Sequence, residues 1–277
     1  MSTVVYIEPS TLVDWMTDPG IRVNDFTVPV TRYMSANVAF GGNAAASEIL
    51  GPLQKMKGAD GVPLVKQTRN FGRLMTGQGY YADFCLVMQF IADNLDQVRK
   101  IKGADKYFKK PDDARSVLQR MVAGKVFGMD CIGFTSQFLY SAGVWSEYKP
   151  YYPKDYLREF KPIRTLEDVR PLTFLIWGSH IAIVNAVHDL STGKYGAKQL
   201  TVDICQSSDG TGITGANGVS GPQLNARAVF AIDDAKSDPV KFKVLHKGNP
   251  IMPVAASFVM ANYKVDKLVS ARDAMGF

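Results

Sequence analysis

Cys131 opens an apolar, helix-like run within Gly128-Met129-Asp130-Cys131-Ile132-Gly133-Phe134, and His180 opens a second apolar run, His180-Ile181-Ala182-Ile183-Val184. A thiol and an imidazole in these settings are the reactants of nucleophilic catalysis, because a thiolate attacks only after a neighbouring base has taken its proton. The unpaired N–H groups of a first helical turn, and the positive end of the helix dipole, favour thiolate over thiol. The other histidines look ordinary: His188 lies beside the turn-like Asp189-Leu190-Ser191-Thr192-Gly193, and His246 precedes Lys247-Gly248-Asn249-Pro250.

The flanking residues say which elements must hold these groups. Asp130 is a good N-cap, Phe134, Phe138 and Ala142 recur at i, i+4 and i+8, and Gly143 suits a helical stop. Cys131 is therefore expected at or near the first helical position. Gly178-Ser179 reads as a tight turn between two apolar strands, which puts His180 at a strand mouth where it can face a helix N-terminus.

Asp130, Cys131, Gly133, Phe134, Tyr140 and Gly143, then Pro171 leading Leu172-Thr173-Phe174-Leu175-Ile176-Trp177, then Ser179 and His180, resemble the NlpC-type cell-wall peptidases of the papain-like clan. The order, helix cysteine before strand histidine, and the separation from position 131 to position 180 both suit that family. The resemblance covers roughly residues 105 to 210 and rests on two short motifs. It implies an α+β papain-like core with helices packed on an antiparallel sheet, and a third polar residue on the strand after the histidine. Two positions depart from the pattern. Ile132 stands where the family has serine, and Cys205, near the end of the strand-like Leu200-Thr201-Val202-Asp203-Ile204-Cys205-Gln206, stands where a histidine is expected. Gln206 offers a carbonyl oxygen to the Nδ1 proton of His180, and Asp203 offers a carboxylate. Alternation along a strand sends these two to opposite faces, so one at most meets the histidine unless a bulge intervenes. Gln206 is the preferred third residue.

Composition is consistent with a globular enzyme. The chain has 277 residues, 46% hydrophobic and 21% charged, enough to bury a substantial core. Cys85, Cys131 and Cys205 form an odd, widely spaced set that suggests neither a disulfide framework nor a metal site, and no cofactor motif is present. A net charge of +6 suits attraction to an anionic polymer, but the lysines are dispersed. The densest basic run, Lys106-Tyr107-Phe108-Lys109-Lys110, reads as a solvated loop, and no nucleic-acid partner is expected. No apolar stretch reaches the ~18 residues of a membrane span. The first ten residues lack the pattern of a classical signal peptide, so a cell-wall substrate requires a dedicated export machine or lysis. An export or inhibitor partner would accompany that route.

Along the chain, residues 1–104 read as an extension of mixed helix and strand and 105–277 as the catalytic domain. Val23 to Phe40 alternates like strand segments, and Ala82 to Ile101 reads as one helix. Pro111-Asp112-Asp113 starts a second helix carrying Val117, Leu118, Met121 and Val122. The tyrosine-rich stretch Trp145 to Phe160 suits either a cleft wall or packing over the core, and Ser207 to Gly221 reads as a glycine-rich loop at a cleft edge. Asn225–Ile232 and Val240–Leu245 are expected to complete the sheet.

The expected activity is that of a cysteine hydrolase, with Cys131, His180 and Gln206 as catalytic residues; by resemblance its substrate is a peptide stem of peptidoglycan. A deamidase, transglutaminase or protease acting on a protein uses the same dyad on another acceptor. The departures at Ile132 and Cys205 leave room for a non-catalytic binding protein on the same scaffold.

Overall fold

A computed structural model describes residues 7–34, 44–58, 60–193, 196–209, 220–246, 249–250 and 258–263. The helices are α1 (Pro9–Thr17), α2 (Ala44–Leu53), α3 (Leu64–Gln67), α4 (Phe71–Leu74), α5 (Tyr81–Asp93), α6 (Leu95–Arg99), α7 (Ala114–Ala123), α8 (Cys131–Ser141) and α9 (Pro153–Tyr156). The strands are β1 (Ile21–Val23), β2 (Phe26–Val28), β3 (Phe160–Pro162), β4 (Phe174–Trp177), β5 (His180–Thr192), β6 (Lys198–Ser208), β7 (Gly221–Asp234), β8 (Lys241–His246), β9 (Asn249–Pro250) and β10 (Val259–Tyr263). The protein is thus α+β, with one large sheet in the order β3-β10-β4-β5-β6-β7-β8-β9. The chain divides into two compact units: a helical unit of Asp14–Gly133 with Ser220–Pro222, and a sheet unit of Met1–Val13, Phe134–Val219 and Gln223–Phe277.

In the helical unit, α5 buries Phe84, Val87, Met88 and Ile91, and α7 buries Val117, Leu118, Met121 and Val122. Each large apolar side chain so buried contributes roughly 1.5–3 kcal/mol. Asp113 caps α7 by accepting the Ser116 N–H at 3.0 Å. The single helix expected over 82–101 is two, because Asn94 turns away from helical geometry (φ −129°, ψ 34°) and its Nδ2 donates to the Phe90 carbonyl at 2.8 Å. Among the described residues the strand-like 23–40 region contributes the short β1–β2 hairpin, and residues 35–43 lie outside the described residues. The basic run is occupied at home: Lys106 pairs with Glu48 at 2.8 Å, and the Arg120 guanidinium collects the carbonyls of Tyr107, Lys109 and Pro111.

In the sheet unit, Gly178, with φ at +51°, and Ser179 close the expected tight turn and set Trp177 opposite His180. The sheet is rolled rather than open. Phe242 and Phe258 exchange both backbone hydrogen bonds, at 2.8 and 2.9 Å, which links β8 to the start of β10, and β10 pairs with β4. One face therefore turns inward and carries Leu175, Ala182, Val184, Ile204, Phe230 and Phe242 in a continuous apolar core. The expected strands at 225–232 and 240–245 are β7 and β8. Ser207 and Ser208 end β6 and Gly221 starts β7, so the expected loop is shorter by those residues, and its glycine-rich centre, 210–219, lies outside the described residues. Of the tyrosine-rich stretch, Trp145, Tyr156 and Phe160 stack in series toward Phe174 of β4, whereas Tyr152 is 70% exposed.

Candidate functional site

Cys131 is the first residue of α8. Asp130 caps the helix, its Oδ1 accepting the Gly133 N–H at 2.6 Å, which makes Cys131 the N1 residue, as its flanking sequence requires. The cap is itself held. Arg73 Nη1 donates to Gln78 Oε1 at 3.0 Å, and Gln78 Nε2 donates to Asp130 Oδ2 at 2.9 Å. A guanidinium can only donate, so Arg73 fixes which end of the Gln78 amide faces the carboxylate. Burial pushes the Asp130 carboxyl up to about 7, against the N–H groups of Gly133, Gln78 and Ile132 and the charge of Arg73, all of which favour the carboxylate.

Two glycines let this turn form. A Cβ on Gly133 would lie 2.2 Å from the Gly77 carbonyl oxygen. Gly77, at φ +77°, has Asp130 N–H bonded to its own carbonyl at 2.8 Å. The backbone at 77–78 thus lies directly on the first turn of α8, which gives the glycine of the cysteine motif a physical reason. Cys131 itself is 2% exposed and forms no disulfide.

His180 belongs to the sheet unit. Its ring packs against Trp177, with centroids 4.3 Å apart, and its Nε2 lies 2.8 Å from Gln206 Oε1. The contact follows from register: Ile183 pairs with Cys205, so one residue further Gln206 stands opposite Ala182, and His180 is its diagonal neighbour on the same face. Of the two third-residue candidates, the structure thus brings Gln206 to His180. Asp203 goes elsewhere, accepting from His188 Nε2 and from the Arg227 N–H at 2.9 and 2.8 Å. The ring atom differs from the expectation: Gln206 meets Nε2, not Nδ1. Cys205 stands on the opposite face, its thiol 3.8 Å from Asn185 Oδ1.

Behind Gln206 runs a chain of buried polar side chains. Gln206 Nε2 donates to Asn225 Oδ1 at 2.7 Å, Asn225 Nδ2 donates to Gln223 Oε1 at 3.2 Å, and Gln223 Nε2 donates to Ser208 Oγ at 2.5 Å. In this sense of the chain Gln206 presents its oxygen to the ring, so Nε2 carries the proton and Nδ1 the lone pair. Burial of the ring holds its pKa down to about 4, although the Gln206 hydrogen bond and the charge of Asp209 favour protonation. His180 is therefore neutral at neutral pH.

The sequence reading did not reach Gln78, Arg73, Asn225 or Gln223. Asn225 and Gln223 share a face at i, i+2, but nothing local marks that face as inward. The strand reverses its alternation at Arg227, where φ is +57° and the N–H leaves the ladder for Asp203, so Asn225 lies on the same buried side as Ala228 and Phe230.

Among the described residues no cluster of side chains could hold a metal ion, and no helix is long and apolar enough to cross a membrane. Comparison with family models, with curated proteins and with solved structures finds no match to this chain.

Proposed function

We propose that the protein is a cysteine hydrolase of papain-like type, with Cys131 as nucleophile, His180 as general base and Gln206 as the residue that orients the imidazole. The observation that carries this reading is the His180–Gln206 hydrogen bond, which uses Nε2 and leaves Nδ1 as the basic nitrogen. In the reaction, Nδ1 takes the Cys131 proton, Sγ attacks an amide carbonyl, and the Cys131 backbone N–H, in the first turn of α8, helps hold the oxyanion. His180 then returns the proton to the leaving amine. Water, deprotonated by the same nitrogen, resolves the thioester and regenerates the thiol. A ring that is neutral at rest enters this cycle as a base rather than as half of a standing ion pair.

The substrate class follows from the sequence resemblance: a peptide stem of bacterial peptidoglycan, reached by a dedicated export machine or by lysis. Incubation with purified peptidoglycan and with synthetic stem peptides, read by mass spectrometry, tests it; new amide-cleavage products that vanish in Cys131→Ala are the expected result. Ammonia release from glutamine in a protein, with no stem-peptide cleavage, would move the reading to a deamidase. The 2% exposure of Cys131 favours a second reading, a binding protein on the same scaffold, in which Cys131→Ala leaves biological activity intact.

A further inference from the structure

The side chains of Asn225, Gln223 and Ser208 have no part in the proposed chemistry, yet they are buried to 7%, 5% and 2% exposure and bonded in series behind Gln206. Burying three polar side chains at the end of an apolar core is costly unless each bond is made, and an apolar cap would satisfy the fold as well. Their arrangement does something an apolar cap cannot. An amide has one accepting end and one donating end, so amides in series must all point the same way, and turning any one of them places two donors or two acceptors face to face.

We propose that Asn225, with Gln223 and Ser208 behind it, is a positioning residue that locks the Gln206 amide with its oxygen toward His180 and so holds the imidazole in the Nε2–H tautomer. Asn225 Oδ1 accepts the Gln206 Nε2 hydrogen, so reversing Gln206 alone, even with the ring in its other tautomer, would set its oxygen against Asn225 Oδ1; every bond is restored only if Asn225 and Gln223 turn with it and Ser208 donates. The base at Nδ1 is thereby available in the whole population. The catalytic consequence rests on the Cys131–His180 reading; the tautomer does not.

The test is 15N NMR of the full chain labelled at its three histidines, with His180 assigned by His180→Gln, at neutral pH. Two-bond couplings distinguish the tautomers directly, a readout that loss of stability alone does not move. Wild type is expected to show the Nε2–H pattern alone. Asn225→Leu should lose the single pattern, with both tautomers populated. Asn225→Asp should keep it, because the carboxylate still accepts from Gln206 while Gln223 turns to donate to it and Ser208 donates to Gln223. An Nδ1–H pattern in wild type overturns the proposal, as does an Asn225→Leu spectrum identical to wild type. The wild-type and Asn225→Asp spectra decide the matter should Asn225→Leu fail to fold. Cys131 alkylation in the same samples separates the two claims: a drop in Asn225→Leu at least proportional to the lost tautomer supports both, whereas a controlled tautomer with Cys131 indifferent to His180 sinks the catalytic reading and leaves the positioning role standing.

Discussion

His180 Nε2 and Gln206 Oε1 stand 2.8 Å apart, joined across adjacent antiparallel strands, and this bond decides which ring nitrogen keeps its lone pair. Replacing the neutral amide by a carboxylate should raise the histidine pKa. In Gln206→Glu the ring is expected to titrate about one to three pH units above the wild-type value of about 4, because an adjacent negative charge favours imidazolium. Asp203→Asn should leave His180 unmoved, since Asp203 is bonded to His188 and not to His180. NMR titration of the histidines reads both.

Asp130 and His180 should give the stability of the protein opposing responses to acid. The Asp130 pKa is raised in the fold, so its contribution is fully present below its unfolded value near 3.8 and is lost as pH rises through about 7. The His180 pKa is depressed, so its contribution is present above the unfolded value near 6.5 and is lost as pH falls through about 4. The windows overlap and the effects offset. Asp130→Asn should therefore show a steeper loss of Tm between pH 6.5 and 4 than wild type, and His180→Gln a flatter one, by thermal unfolding across that range.

The Asp130 cap should also be visible at fixed pH. Asp130→Ala removes the acceptor for the Gly133 N–H and leaves Gln78 Nε2 without its carboxylate, an expected loss of about 1–2 kcal/mol by chemical denaturation.

Gly133→Ala and Gly51→Ala should differ in sign. At Gly133 the new methyl would meet the Gly77 carbonyl oxygen at 2.2 Å, so the backbone must part and the start of α8 must shift, at a cost of about 1–3 kcal/mol. At Gly51, within α2, nothing lies within 4 Å, and alanine should stabilise by roughly 0.4–1 kcal/mol. Urea midpoints of the two variants check the contrast.

The sequence carried what is local. Asp130 before an apolar i, i+4 pattern located the start of α8, and Gly178-Ser179 between apolar strands located the hairpin that presents His180. The alternation of β6 separated Gln206 from Asp203 before their partners were visible. What stayed hidden depends on long-range register. The meeting of Gln206 with Nε2 follows from the pairing of Ile183 with Cys205, and the Gln206–Asn225–Gln223 chain follows from a reversal of alternation at Arg227 that an Asp203 carboxylate on another strand supports. Rolling of the sheet depends on Phe242 and Phe258, two phenylalanines whose sequence context resembles that of any strand. The break at Asn94 was legible in principle, since asparagine competes for backbone groups, but the apolar face of α5 runs on through Leu95 and Val98 and masks it.

Alkylation of Cys85, Cys131 and Cys205 as a function of pH, read by mass spectrometry in the wild-type chain and in His180→Ala, tests the central claim most directly and requires no substrate. Cys131 alone is expected to react readily in the range between about pH 4, above which the His180 ring is neutral and can take the thiol proton, and the unperturbed thiol pKa of about 8.5, and to lose that behaviour in the variant. Burial pushes the Cys85 thiol up, so it serves as the internal control. A Cys131 that is inert, or that reacts alike with and without His180, would contradict the account.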